Sequence, residues 1–95
     1  MNPSLFGLIS RAGALSLDEL RARSAVGEAA LARDIAAMLG EGVVEVASGQ
    51  PRLAARLRGR NVAAIETALQ SAFVDEGEAD DIVIRPTTRG FRLMS

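Results

Sequence analysis

Between Gly27 and Gly40 the chain places Leu31, Ile35, Met38 and Leu39 at spacing i, i+4, i+7 and i+8, the pattern of one apolar face of an α-helix. Such a face has to be covered by other segments of the same short chain. With 95 residues and no cysteine, the chain has no disulfide to staple it and can build one modest core. Hydrophobic residues at 48% and charged residues at 24% suit a single globular domain over 1–95.

The flanking segments supply candidate partners for that helix. Pro3 suits a first helical turn, and Leu5, Leu8, Ile9 and Ala12 follow at helical spacing, which predicts a helix over 3–12 ended by Gly13. Ser16-Leu17-Asp18-Glu19 reads as a capping box opening a helix over 17–23, with Leu17 and Leu20 inward. Ser24-Ala25-Val26-Gly27 interrupts it, and the next helix, 28–39, is closed by Gly40 and Gly42. Val43 to Ala47 reads as a strand and Ser48-Gly49-Gln50-Pro51 as a turn. Residues 52–58 fit two readings. The preceding turn favours a hairpin strand, and the Ala, Leu and Arg content favours a helix; the strand is preferred. Asn61 caps a helix to residue 74 carrying Val62, Ile65, Leu69, Ala72 and Phe73. Asp75 to Asp81 reads as an acidic loop, 82–86 as a strand, Pro86 to Gly90 as a turn, and Phe91 to Met94 as a returning strand. The expected core includes Leu20, Leu31, Ile35, Leu39, Val44 and Leu69.

Several chemistries lack their residues. Without histidine or cysteine the usual general base at neutral pH, thiol chemistry and the commonest metal ligands are missing. No lysine accompanies Gly40-Glu41-Gly42, so these glycines stop a helix and make no phosphate loop. The acidic stretch lacks the residue order of a calcium loop, and the adjacent Asp80 and Asp81 cannot flank a scissile bond. The expectation is a protein without catalytic activity, cofactor or metal. No run of about 18 apolar residues is available to span a membrane. Met1 to Phe6 lacks the positive start of a secretory signal, and a cytoplasmic location is expected. The net charge of −1 is unevenly spread: residues 51–65 hold Arg52, Arg56, Arg58 and Arg60 and no acid, whereas residues 66–81 hold six acids and no arginine. A basic segment beside an acidic one can steer an anionic partner.

The stretch Ser16 to Val46 resembles a winged helix-turn-helix domain: a capped short helix, the turn Ser24-Ala25-Val26-Gly27, a helix with a Leu-x-x-x-Ile-x-x-Met-Leu stripe, then Gly42-Val43-Val44-Glu45-Val46 leading into wing strands. Gly13-Ala14-Leu15 would supply the short strand between the first two helices. The resemblance implies an α+β fold with a winged-helix core over 3–60, extended over 61–95 by a C-terminal helix and a β-hairpin. It also implies a small DNA-binding transcriptional regulator, with helix 28–39 in the major groove and the wing on the backbone. The positions matching the exposed recognition face are Gly27, Glu28, Ala29, Ala32, Arg33 and Ala36. Arg21 and Arg23 on the preceding helix, with Gln50, Arg52, Arg56 and Arg58 in the wing, would add polar and phosphate contacts.

A second reading uses the same fold to bind a partner protein, because a fold does not fix a function. An alanine-lined recognition face and net acidity favour it; the wing arginines favour double-stranded DNA. A homodimer is expected in either case, because Phe73, Ile82, Ile84, Phe91, Leu93 and Met94 form more apolar surface than a small tail can cover.

Overall fold

The computed structural model describes residues 3–75, 79 and 81–94. In chain order the elements are α1 (Pro3–Ala12), β1 (Leu15–Ser16), α2 (Leu17–Arg23), α3 (Glu28–Glu41), β2 (Val44–Ser48), α4 (Pro51–Arg56), α5 (Val62–Val74), β3 (Val83–Pro86) and α6 (Thr88–Met94). The fold is α+β, with the helices set around a three-stranded antiparallel sheet in the order β1-β3-β2. β3 is thus the central strand. It pairs Ile84 with Leu15 on one side and with Val46 on the other.

α2 starts where its capping box requires. The Glu19 amide donates to the Ser16 hydroxyl at 3.0 Å, and the Ser16 amide donates to the Glu19 carboxylate at 3.0 Å. The backbone bond from Ser16, seconded by the Ser16 side chain, holds the Glu19 carboxyl below the usual carboxylate range. A depressed native value means that the contribution to stability is present at neutral pH and is lost as pH falls through that range.

α3 contributes more buried residues to the core than any other element. Leu31, Ile35, Met38 and Leu39 are buried, and so are Ala32 and Ala36 on the neighbouring line of the helix. α5 is the most extensive packing partner of α3. At one end a Cβ added to Gly40 would lie 2.6 Å from a methyl of Val62, so a larger residue there would force the side chain at the start of α5 to move. At the other end Arg21 lies 3.9 Å from Glu28 of α3 and donates to the Phe73 carbonyl of α5 at 3.1 Å. The two helices therefore run antiparallel. Leu20, Val44 and Leu69 are buried with them.

Four expected segments differ. Residues 52–58 are not a wing strand: Pro51–Arg56 is helix α4, with Pro51 at its first turn and Leu53, Ala54 and Leu57 buried. Leu53 and Leu57 share a helical side at i, i+4, and proline at the start presets the helical φ. Phe91–Met94 does not return as a strand, because β3 already has β1 and β2 as neighbours and the segment lies in α6. The Thr87 hydroxyl accepts the Gly90 amide at 3.0 Å, a helix N-cap bond in the segment expected to turn. In the acidic stretch Ala79 and Asp81 are helical, with Ala79 buried and its amide donating to the Asp75 carbonyl at 3.3 Å. Glu76, Gly77, Glu78 and Asp80 of that stretch lie outside the described residues.

α6 docks by close backbone approach. The Thr87 amide donates to the Val43 carbonyl at 3.0 Å, and its hydroxyl donates to the Gly42 carbonyl. The rings of Phe6 and Phe91 meet edge to face at 5.9 Å between centroids. Phe73, Ile82 and Ile84, expected as apolar surface for a second copy, are buried within the chain; Phe91 remains 51% exposed. The side chains of Leu93 and Met94 lie outside the description. Among the described residues, no helix is long and apolar enough to cross a membrane.

Two substitutions test this packing. Ile35→Ala should cost roughly 2–5 kcal/mol in chemical denaturation, and a loss below about 1 kcal/mol would contradict the register of α3. A methyl at Gly90 would stand 2.1 Å from the Val43 carbonyl oxygen. Gly90→Ala should therefore cost about 1–3 kcal/mol, and unchanged stability would contradict the docking of α6.

Candidate nucleic-acid interface

The segment from α1 to β2 follows the order of elements read from the sequence: helix, short strand, two helices across a four-residue break, strand. In the break, Ser24 ends α2 with its amide bonded to the Leu20 carbonyl, and its hydroxyl accepts the Val26 amide at 3.2 Å. Gly27 opens α3 without a side-chain cap. Val26 is 41% exposed there.

The expected recognition face of α3 is only partly available. Gly27, Glu28, Ala29 and Arg33 are exposed, whereas Ala32 and Ala36 are fully buried. Ala32, Ala36 and Gly40 stand at i, i+4 and i+8, one line of small residues, and at Gly40 that line meets α5. Ala32 is therefore withdrawn as a contact residue: its side belongs to the core. What α3 leaves accessible along this side is the strip of Ala29, Arg33 and half-buried Ala37.

The arginines divide into two groups by their partners. Those of α2 are engaged: Arg21 pairs with Asp18, approaches Glu28, and lies over the Phe73 ring at 5.8 Å. Arg23 stands 3.9 Å from Glu19. Arg85 is also paired, with Glu45 directly across the β2–β3 ladder at 3.3 Å. By contrast Arg33, Arg52, Arg56, Arg58 and Arg60 are exposed and form no ion pair among the described residues.

α4 and the turn after it arrange the second group. Arg52 and Arg56 sit one turn apart on the exposed side of α4, opposite buried Leu53, Ala54 and Leu57. Arg58 and Arg60 flank Gly59, which has a φ of +97°. Gln50, at the N-cap of α4, is exposed but makes no side-chain capping bond. Four guanidinium groups thus project from nine consecutive residues, the number from 52 to 60. Each presents a planar fork of donors that keeps its charge and can pair with a carboxylate or a phosphate.

One cation was not legible as part of the site. Arg89 sits in α6, and it borders the same groove as Gly59 and Arg60 because Thr87 anchors α6 on Gly42 and Val43. Nothing in the local sequence links residue 89 to residue 60. Among the described residues, no three His, Cys, Asp or Glu side chains come together as a metal site would need. No protein-family model, curated protein or solved structure matches this chain.

Proposed function

We propose that the chain is a small, non-enzymatic DNA-binding regulator of the winged-helix type, acting in the cytoplasm and holding duplex DNA chiefly through α4 and the turn that follows it. The observation that carries this reading is the exposed set Arg52, Arg56, Arg58 and Arg60, which forms no ion pair among the described residues. Unpaired surface arginines are available to neutralise backbone phosphates, whereas those of α2 would first have to give up their carboxylates. The element order up to β2 and the antiparallel pairing of β2 with β3 support the winged-helix comparison. In this version the segment joining those two strands is helical, and the arginines ride on it.

α3 contributes less than a usual recognition helix does. Only Arg33 on its exposed strip has the donor geometry for a base edge, while Ala29 can touch a thymine methyl. The proposal is therefore binding with high salt sensitivity and modest sequence preference. A protein partner is the second reading. It is favoured by the small apolar surface of exposed Ala25, Val26 and Ala29 at the helix-turn-helix break.

The test is a salt titration of affinity for duplex DNA. Four phosphate contacts give a slope of log affinity against log salt near −3.6, and two chains on one site roughly −7, which also reads the assembly state. Charge reversal at Arg56 and Arg58 should weaken binding to all sequences alike and flatten the slope by about 1.8 per chain. Arg33→Ala should relax preference at one base pair, worth roughly 1–3 kcal/mol. No retardation of any duplex at low salt and tens of micromolar protein would transfer the case to the protein-binding reading.

A further inference from the structure

A groove runs between the C-terminal end of α3, the α4–α5 turn and the first turn of α6. It has two lobes, of about 390 and 370 Å³, which share Leu39, Gly42 and Gly59. Each is at the lower end of the size range of small-ligand sites. Arg58 borders the first lobe; Arg60 and Arg89 border the second. These three arginines come from two segments 29 residues apart, counting from 60 to 89, and none is in an ion pair among the described residues.

The charge balance of the groove favours an anion. Two carboxylates border it, but Glu45 is held by Arg85 at 3.3 Å. That leaves Glu41 against three guanidinium groups. Three glycines, Gly40, Gly42 and Gly59, line the walls of the second lobe. A Cβ at Gly59 would meet nothing within 4 Å, and one at Gly42 would lie 3.6 Å from Cδ of Arg89, so the Arg89 stem passes over that glycine. Three guanidinium groups attract a dianion more strongly than a monoanion, and phosphate oxygens match the arginine fork.

We infer that this groove is a seat for a phosphate group, with Arg60 and Arg89 as its main cations and Arg58 on the adjoining lobe. The phosphate belongs either to a DNA backbone or to a free phosphorylated small molecule, and the seat does not require the DNA-binding reading. Glu41 weakens it by repulsion.

The experiment follows backbone amide signals of the isotope-labelled full chain during titration with inorganic phosphate, against sodium chloride at matched ionic strength. The expected result is saturable movement of Gly40, Gly42 and Gly59 with phosphate and not with chloride. Arg60→Gln and Arg89→Gln should each weaken it about tenfold, the loss of one charge-assisted contact, with the rest of the spectrum unchanged. Glu41→Gln should tighten it. Absence of saturable movement up to tens of millimolar phosphate, or movement indifferent to both arginine variants, would overturn the seat. A DNA duplex that moves the same three amides and displaces phosphate identifies the backbone as the source. A duplex that binds while phosphate remains seated identifies a free ester. A chain that responds to phosphate but retards no duplex keeps the seat and loses the DNA reading. One that retards duplexes while phosphate leaves these amides unmoved does the reverse.

Discussion

The close packing of α5 along α3 is the contact on which the rest of the structure depends. Ala32, Ala36 and Gly40 give α3 a line without bulk, and the absent side chain at Gly40 makes room for a methyl of Val62. α3 thereby buries two adjoining lines of its surface, the large one of Leu31, Ile35 and Met38 and the small one beside it. In a short chain without disulfides, this double use of one helix supplies core that a single apolar face would not. Arg21 then ties the far end of the pair, joining α2 to the start of α3 and the end of α5.

That contact also decides where charge is presented. A helix covered on two lines keeps only a narrow strip for a partner, and on α3 the strip holds one arginine, Arg33, with Asp34 half-buried beside it. Among the described residues, arginines outside any ion pair cluster instead on the segment between β2 and β3 and at the start of α6, where the backbone turns through Gly59 and docks on Gly42 and Val43. The candidate interface is therefore assembled from segments remote in sequence. Exposed ion pairs such as Arg23 with Glu19 are worth little to stability. Their consequence here lies in which arginines they leave unengaged.

Most helices and strands were legible because their signals are local. The Ser16–Glu19 capping box, the Asn61 cap and the i, i+4 stripes place α2, α3 and α5 to within two residues. Ambiguity appears where local signals agree with two structures. In residues 52–58 alternation and i, i+4 spacing both put Leu53 and Leu57 on one side, and helix propensity prevails. In residues 87–90 the Thr87 cap competes with a Pro-Thr-Thr-Arg-Gly turn signature, and the side-chain bond decides for the helix. Alanine is the harder case. At Ala32 and Ala36 it fits an open surface and a tight helix contact equally well, so periodicity establishes the helix but not how many of its sides are covered. The block of arginines from 52 to 60 was visible as charge, while Arg89 joins it only through tertiary docking that no spacing encodes.

The claim that the small-residue line of α3 is an internal contact, and no binding surface, is tested most directly at its midpoint. Ala36→Leu adds bulk where the fold leaves none, and denaturant unfolding should show a loss of roughly 1–3 kcal/mol, as overpacking of a filled core does. A change within about 0.5 kcal/mol, the range of a surface substitution, would mean that this side of α3 is open and would contradict the account.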